Sequence, residues 1–92
     1  MMLVRTTSRF RKSLKKLLGS GRFNRKEVEV VVDILARGEK LGAHYRDHEL
    51  SAEFSGHREC HIRPDLLLIY KIEENNLVLV LVNLGSHEDL FG

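Results

Sequence analysis

The sequence has a single cysteine, a single proline and no tryptophan among its 92 residues. A lone cysteine excludes an intrachain disulfide, and with it the stapled scaffolds of small secreted domains. The longest unbroken apolar run, Leu77–Val82, is six residues, against the ~18–20 needed to span a bilayer. The start, MMLVRTTSRFRKS, lacks the apolar stretch of a secretory signal. Together these features predict a cytoplasmic protein with no membrane partner. No glycine-rich phosphate loop, dinucleotide fingerprint or GxSxG elbow occurs, so the enzyme classes built on those devices are excluded. Apolar residues make up 42% and charged residues 30% of the chain, a globular balance rather than a disordered one. A chain this short buries roughly 60–65% of its unfolded surface. Residues 1–92 therefore read as one domain with one core.

Acidic residues are missing from one end. Residues 1–26 hold nine Lys or Arg and no Asp or Glu, and residues 27–92 hold six bases and thirteen acids, so +9 is followed by −7. A half this basic points to an anionic partner, a phosphate backbone or an acidic protein segment. Histidine is abundant instead: five, at 44, 48, 57, 61 and 87, all in the second half. Its unperturbed pKa of ~6.5 suits proton transfer near neutrality, and it also ligates metals.

From Thr7 the apolar positions Phe10, Leu14, Leu17 and Leu18 form one stripe of an amphipathic helix that ends at Gly19-Ser20-Gly21. Arg9, Arg11, Lys12, Lys15 and Lys16 cover the rest of it, so the basic segment is an organised face. Asn24 followed by Glu27 is a capping box, and Phe23 with Val28 is a hydrophobic staple. These signals make the β-branched run EVEVVVDIL a second helix, stopped at Gly38, in an antiparallel hairpin with the first. Met2-Leu3-Val4 reads as an edge or joining strand. Leu41–Ser55 reads as loop with at most a short strand. His57–Arg63, Leu66–Ile72 and Leu77–Leu84 then read as an antiparallel meander, with Pro64-Asp65 and Glu73–Asn76 as its turns. The fold class is α+β.

Alternation along His57–Arg63 places Glu59, His61 and Arg63 in a row on one face and Cys60 in the core. A carboxylate, an imidazole and a guanidinium together can move protons and stabilise phosphoryl charge. Pairing across the Glu73–Asn76 turn sets Asp65 opposite Leu84, which brings His87 to the same edge. His61, Asp65 and His87 are thus expected to converge. His44/His48 and His57/His61 have the four-residue spacing that aligns two metal ligands only on a helix. Neither segment reads as helix, so no metal site is expected.

Three stretches carry a resemblance: Tyr45–Leu50 (YRDHEL), Gly56–Lys71 (GHRECHIRPDLLLIYK) and Gly85–Gly92 (GSHEDLFG). They resemble the YafQ branch of the RelE/ParE superfamily of bacterial toxins, over roughly the last half of the chain. The resemblance implies a two-helix hairpin packed on a curved antiparallel sheet. It implies a ribosome-dependent endoribonuclease that cleaves mRNA without metal or cofactor and is neutralised by a cognate antitoxin. His48, His61, Asp65, His87 and Phe91 would line the active site, with Glu59 where relatives often have aspartate. Leu66 stands where some have tryptophan. Arg63 would meet phosphate, Phe91 would stack on a base, and Arg11, Lys12, Lys15 and Lys16 would dock on ribosomal RNA. Two other classes remain open: a gyrase inhibitor of the same superfamily, and an RNA- or protein-binding module without catalysis.

Overall fold

The computed structural model describes residues 1–92. Strand β1 (Leu3–Thr6) leads into helix α1 (Ser8–Gly19) and helix α2 (Arg25–Ala36). A single-turn 3-10 helix at Ala43–Tyr45 precedes the two-residue strand β2 (His48–Glu49), and a second at Ala52–Phe54 follows it. Strands β3 (Arg58–Arg63), β4 (Leu66–Glu73) and β5 (Val78–Gly85) form the meander, and helix α3 (His87–Phe91) closes the chain. The sheet order is β1-β5-β4-β3-β2. Strands β2 to β5 pair antiparallel, and β1 adds to the β5 edge in parallel, so the sheet as a whole is mixed. The parallel edge follows from connectivity, because the helical hairpin and the meander lie between β1 and β5 and supply the crossover that parallel pairing needs.

The helices form where the caps place them. The Thr7 hydroxyl accepts from the Phe10 N–H (3.0 Å) and donates to the Val82 carbonyl (2.6 Å), so one side chain starts α1 and ties it to β5. Asn24 and Glu27 complete the capping box of α2. The cap and the stripe Val28, Val31, Leu35 and Ala36, all buried, hold the β-branched run helical. These residues and Phe10 pack on Cys60, Leu66, Leu68, Tyr70, Leu79, Leu81 and Leu84 from one face of the sheet. Cys60 is fully buried as expected, and burial pushes its thiol up to about 12, so it is inert. No helix is long and apolar enough to cross a membrane.

The β4–β5 register differs from the expected one. Leu84 pairs with Leu68 rather than standing opposite Asp65. The turn begins one residue later, with Glu74, Asn75 and Asn76 all at positive φ, and an irregularity between Ile69 and Tyr70 adds a further offset. Asp65 stays in the tight turn after Pro64, between Arg63 and its partner Leu66.

Candidate active site

Alternation puts Glu59 and His61 on the sheet face opposite the helices, because their neighbour Cys60 belongs to the helix-side core. His48 on β2 stands directly opposite Glu59. Glu59 is the one buried charged residue, at 4% exposure. Its Oε1 lies 3.5 Å from His48 Nε2 and 3.4 Å from His61 Nε2. Two histidines from different strands therefore share one buried carboxylate oxygen. His48 Nδ1 lies 2.8 Å from the Arg46 carbonyl. A carbonyl only accepts, so Nδ1 carries a proton and Nε2 is the nitrogen that gains or loses one. His61 Nδ1 is buried with no protein partner, and its Nε2 faces Glu59.

Helix α3 sits on the same face. His61, Leu67 and Gly85 are successive cross-strand neighbours on β3, β4 and β5. A Cβ at Gly85 would come within 3.0 Å of the Asp89 side chain, so α3 lies over that row and glycine makes the approach possible. Ser86 caps α3, and its N–H donates back to Asp89. Those bonds, the backbone one first, hold the Asp89 carboxyl below its ordinary range. His87 opens the helix and packs on Phe91 at 5.0 Å between ring centroids, and Phe91 meets Phe54 edge-on at 5.4 Å. His87 and Phe91 are both exposed.

Asp47, just before β2, points to the other side of the sheet edge. Its Oδ1 accepts from the Tyr70 hydroxyl (2.6 Å), and its Oδ2 accepts from Arg58 Nη2 (3.0 Å) and Nε (3.3 Å). Arg58 and Tyr70 are themselves a cross-strand pair. Hydrogen bonding to Asp47 raises the Arg58 pKa, and burial, then Asp47, pushes the Tyr70 hydroxyl up. A cleft of about 670 Å³ is lined by Asp47, Arg58 and Tyr70 and by no histidine. The candidate site is placed by the titratable side chains rather than by concavity, because proton transfer requires them.

Not every expected residue joins the group. The β3–β4 pairing breaks register between His61 and Arg63, which swings Arg63 to the helix side. There it forms a two-pronged pair with Glu27 (2.6 and 2.8 Å) and lies 5.1 Å over the Phe23 ring. The expected row of Glu59, His61 and Arg63 is thus corrected to Glu59 and His61. Asp65 is exposed and lines a separate cleft of about 360 Å³ with Lys16, Ser86 and Asp89, beside the start of α3. Neither His61 nor His87 lines that cleft, and Asp65 does not belong to the Glu59 pair of contacts. Arg11, Lys12, Lys15 and Lys16 are all exposed on α1, with Arg11 also donating to the Thr6 carbonyl and hydroxyl. Sequence reasoning missed Asp47 and Phe54. The available signals were a carboxylate beside a motif histidine and an aromatic residue inside a polar loop.

A family described as "Bacterial toxin of type II toxin-antitoxin system, YafQ" matches residues 2–92. This chain belongs to that family. The mRNA interferase toxin YafQ of Escherichia coli strain K12 is 40% identical over 52 residues, 56% of this chain and 54% of that protein. The matched segment thus spans about half the length of this curated YafQ relative. A metal-bound toxin from Helicobacter pylori is 42% identical, covering 99% of this chain and 100% of its own, with a TM-score of 0.89. The toxin of the E. coli DinJ–YafQ toxin–antitoxin complex is 27% identical, covering 99% and 98%, with a TM-score of 0.84. The α+β architecture of this YafQ-family chain agrees with these solved structures. No three His, Cys, Asp or Glu side chains of this chain are grouped to hold a metal ion.

Proposed function

We propose that this YafQ-family protein is an mRNA interferase, a ribosome-dependent endoribonuclease neutralised by a cognate antitoxin. The observation that carries the reading is the buried Glu59 carboxylate flanked by His48 and His61. Cleavage proceeds by attack of a ribose 2′-oxygen on the adjacent phosphate, giving a 2′,3′-cyclic phosphate and a 5′-hydroxyl. It needs a base at the 2′-OH and an acid at the leaving oxygen, each contributing ~10²–10⁴-fold. His48, exchanging its proton through Nε2, and His87 take these two roles. Glu59 is placed to stabilise the imidazolium formed when a histidine takes a proton. His61 contacts the phosphate, and Asp65 with Lys16 borders it at the start of α3. Arg63 is engaged by Glu27, so the phosphate contact falls to His61 rather than to Arg63. Phe91, exposed and backed by Phe54, stacks on a base, a contact worth ~1–3 kcal/mol. The 2′-OH requirement makes RNA the substrate.

The mechanism uses no metal. The H. pylori relative is described as metal-bound, so the test includes a chelator arm. RNA from a translating extract is analysed for new ends with and without the protein, and with EDTA exchanged against magnesium to keep ribosomes intact. New 5′-hydroxyl ends within codons, unchanged by a transition-metal chelator, are expected. Ends that vanish on chelation and return with zinc would overturn the metal-free chemistry. Trapped gyrase complexes without cleavage would favour the inhibitor reading.

A further inference from the structure

We propose that Asp47 is a positioning residue for His48, acting through a clamp with Arg58 and Tyr70. The proposal rests on the nuclease reading only for its rate measurement. β2 is two residues long, too short to hold its place by ladder hydrogen bonds alone. Consecutive residues straddle a strand, so fixing Asp47 on one side fixes His48 on the other. The contacts show this: Arg58 and Glu59 are consecutive on β3, the Arg58 side chain bonds Asp47, and Glu59 stands opposite His48 in the ladder. Asp47 is anchored by three bonds from two strands, at 2.6, 3.0 and 3.3 Å. Tyr70 is 1% exposed, so its hydroxyl is a fixed point of the core. On the other side of Asp47, Arg46 adopts a left-handed conformation (φ 53°), and its carbonyl accepts a hydrogen bond from His48 Nδ1–H. The clamp therefore sets both the position of the ring and the tautomer that leaves Nε2 as the reactive nitrogen.

The consequence differs from that of an ordinary stabilising contact. Loss of the clamp frees the Arg46–His48 segment, and the neutral imidazole reverts to the Nε2–H form that Glu59 Oε1 accepts. A displacement of about 1 Å in a reacting group costs on the order of 10²-fold in rate. The effect falls on kcat, with KM little changed, because substrate contacts elsewhere persist.

The test uses Asp47→Ala, Asp47→Asn and Tyr70→Phe in the full-length protein, each also combined with His48→Ala. Nitrogen-15 imidazole shifts, at a pH where the histidines are neutral, report the His48 tautomer. Cleavage kinetics in a translating extract report the rate. Wild type is expected to show the Nδ1–H form at His48. Asp47→Ala is expected to show Nε2–H and a rate reduced by about 10–100-fold, with Asp47→Asn and Tyr70→Phe in between. In the His48→Ala background the same substitutions are expected to cost little more, since the two residues act as a unit. Tyr70→Phe keeps the question open to measurement if Asp47→Ala fails to fold. An unchanged tautomer in every folded variant would overturn the proposal. An equal rate loss with and without His48 would also overturn it, by showing a general structural role. A tautomer change without RNA cleavage by wild type would support the clamp while overturning the nuclease reading.

Discussion

Burying the Glu59 carboxylate at 4% exposure is unfavourable unless positive or donor groups meet it, and two imidazoles face it: His61 through Nε2 and, when doubly protonated, His48 through Nε2. The two histidines are unequal partners. The His61 side chain is 18% exposed and that of His48 is 50% exposed, so the stability of the buried carboxylate leans on His61. His61→Ala is expected to lower unfolding free energy by about 1–3 kcal/mol, the cost of leaving a buried acceptor unpartnered. His48→Ala and His87→Ala are expected to stay within about 0.5 kcal/mol of wild type. All three should abolish most mRNA cleavage. His44→Ala, whose ring packs on its neighbour Tyr45 away from Glu59, should leave cleavage unchanged. Urea denaturation and a cleavage assay separate the two effects. Equal losses of activity across all four histidines would return them to surface decoration.

At the scale of elements, the same residue types that read clearly in the sequence are those with local signals. Asn24, Glu27 and Phe23 announce α2 against its β-branched composition, because a cap is decided within one turn of chain. Glu59 and His61 read correctly because alternation is local as well. Arg63 did not, because a register break between His61 and Arg63 depends on how β3 meets the turn at Pro64. The Asp47 clamp was equally invisible, since Arg58 and Tyr70 reach it only through sheet pairing. The diversion of Arg63 has a consequence for α2. The Arg63 guanidinium, then the Asn24 backbone N–H, holds the Glu27 carboxyl below its ordinary 4.5. A depressed carboxyl contributes stability that is present above the unfolded value and lost as pH falls through the folded one. The melting temperature of wild type should therefore fall more steeply below pH 4.5 than that of Glu27→Gln. Parallel pH profiles would show that the pair contributes nothing. Gly85 gives a second check on element placement. Gly85→Ala forces the Asp89 side chain and the start of α3 to shift, so cleavage should drop more than stability does. Unchanged cleavage would mean that the position of His87 is not set by this approach.

Across the whole molecule, the charge asymmetry of the sequence becomes a directional surface. The bases of residues 1–26 line α1 and its flanks, and α1 runs along β5 toward the end of the sheet where α3 begins. Lys16, in the last turn of α1, lines the same cleft as Ser86 and Asp65. The cationic face thus reaches the cleft that Asp65 lines at the start of α3, in a body of 36 × 29 × 28 Å. At physiological salt, exposed charges act over only about 8 Å, so these bases work by contact with the partner rather than by long-range attraction. Each phosphate contact removed should flatten the dependence of log affinity on log salt by roughly 0.7–0.9. Lys12, Lys15 and Lys16 are the informative set, because Arg11 is also engaged by Thr6. Replacing those three by glutamine should weaken ribosome co-sedimentation and reduce its salt slope, with the melting temperature unchanged since all three are exposed. An unaltered slope would assign the basic face to solvation and move ribosome docking elsewhere on the molecule. A reduced slope with an unchanged cleavage rate at saturating ribosome concentration would instead place α1 outside the chemistry, as a surface that delivers the Glu59–His48 centre to translating mRNA.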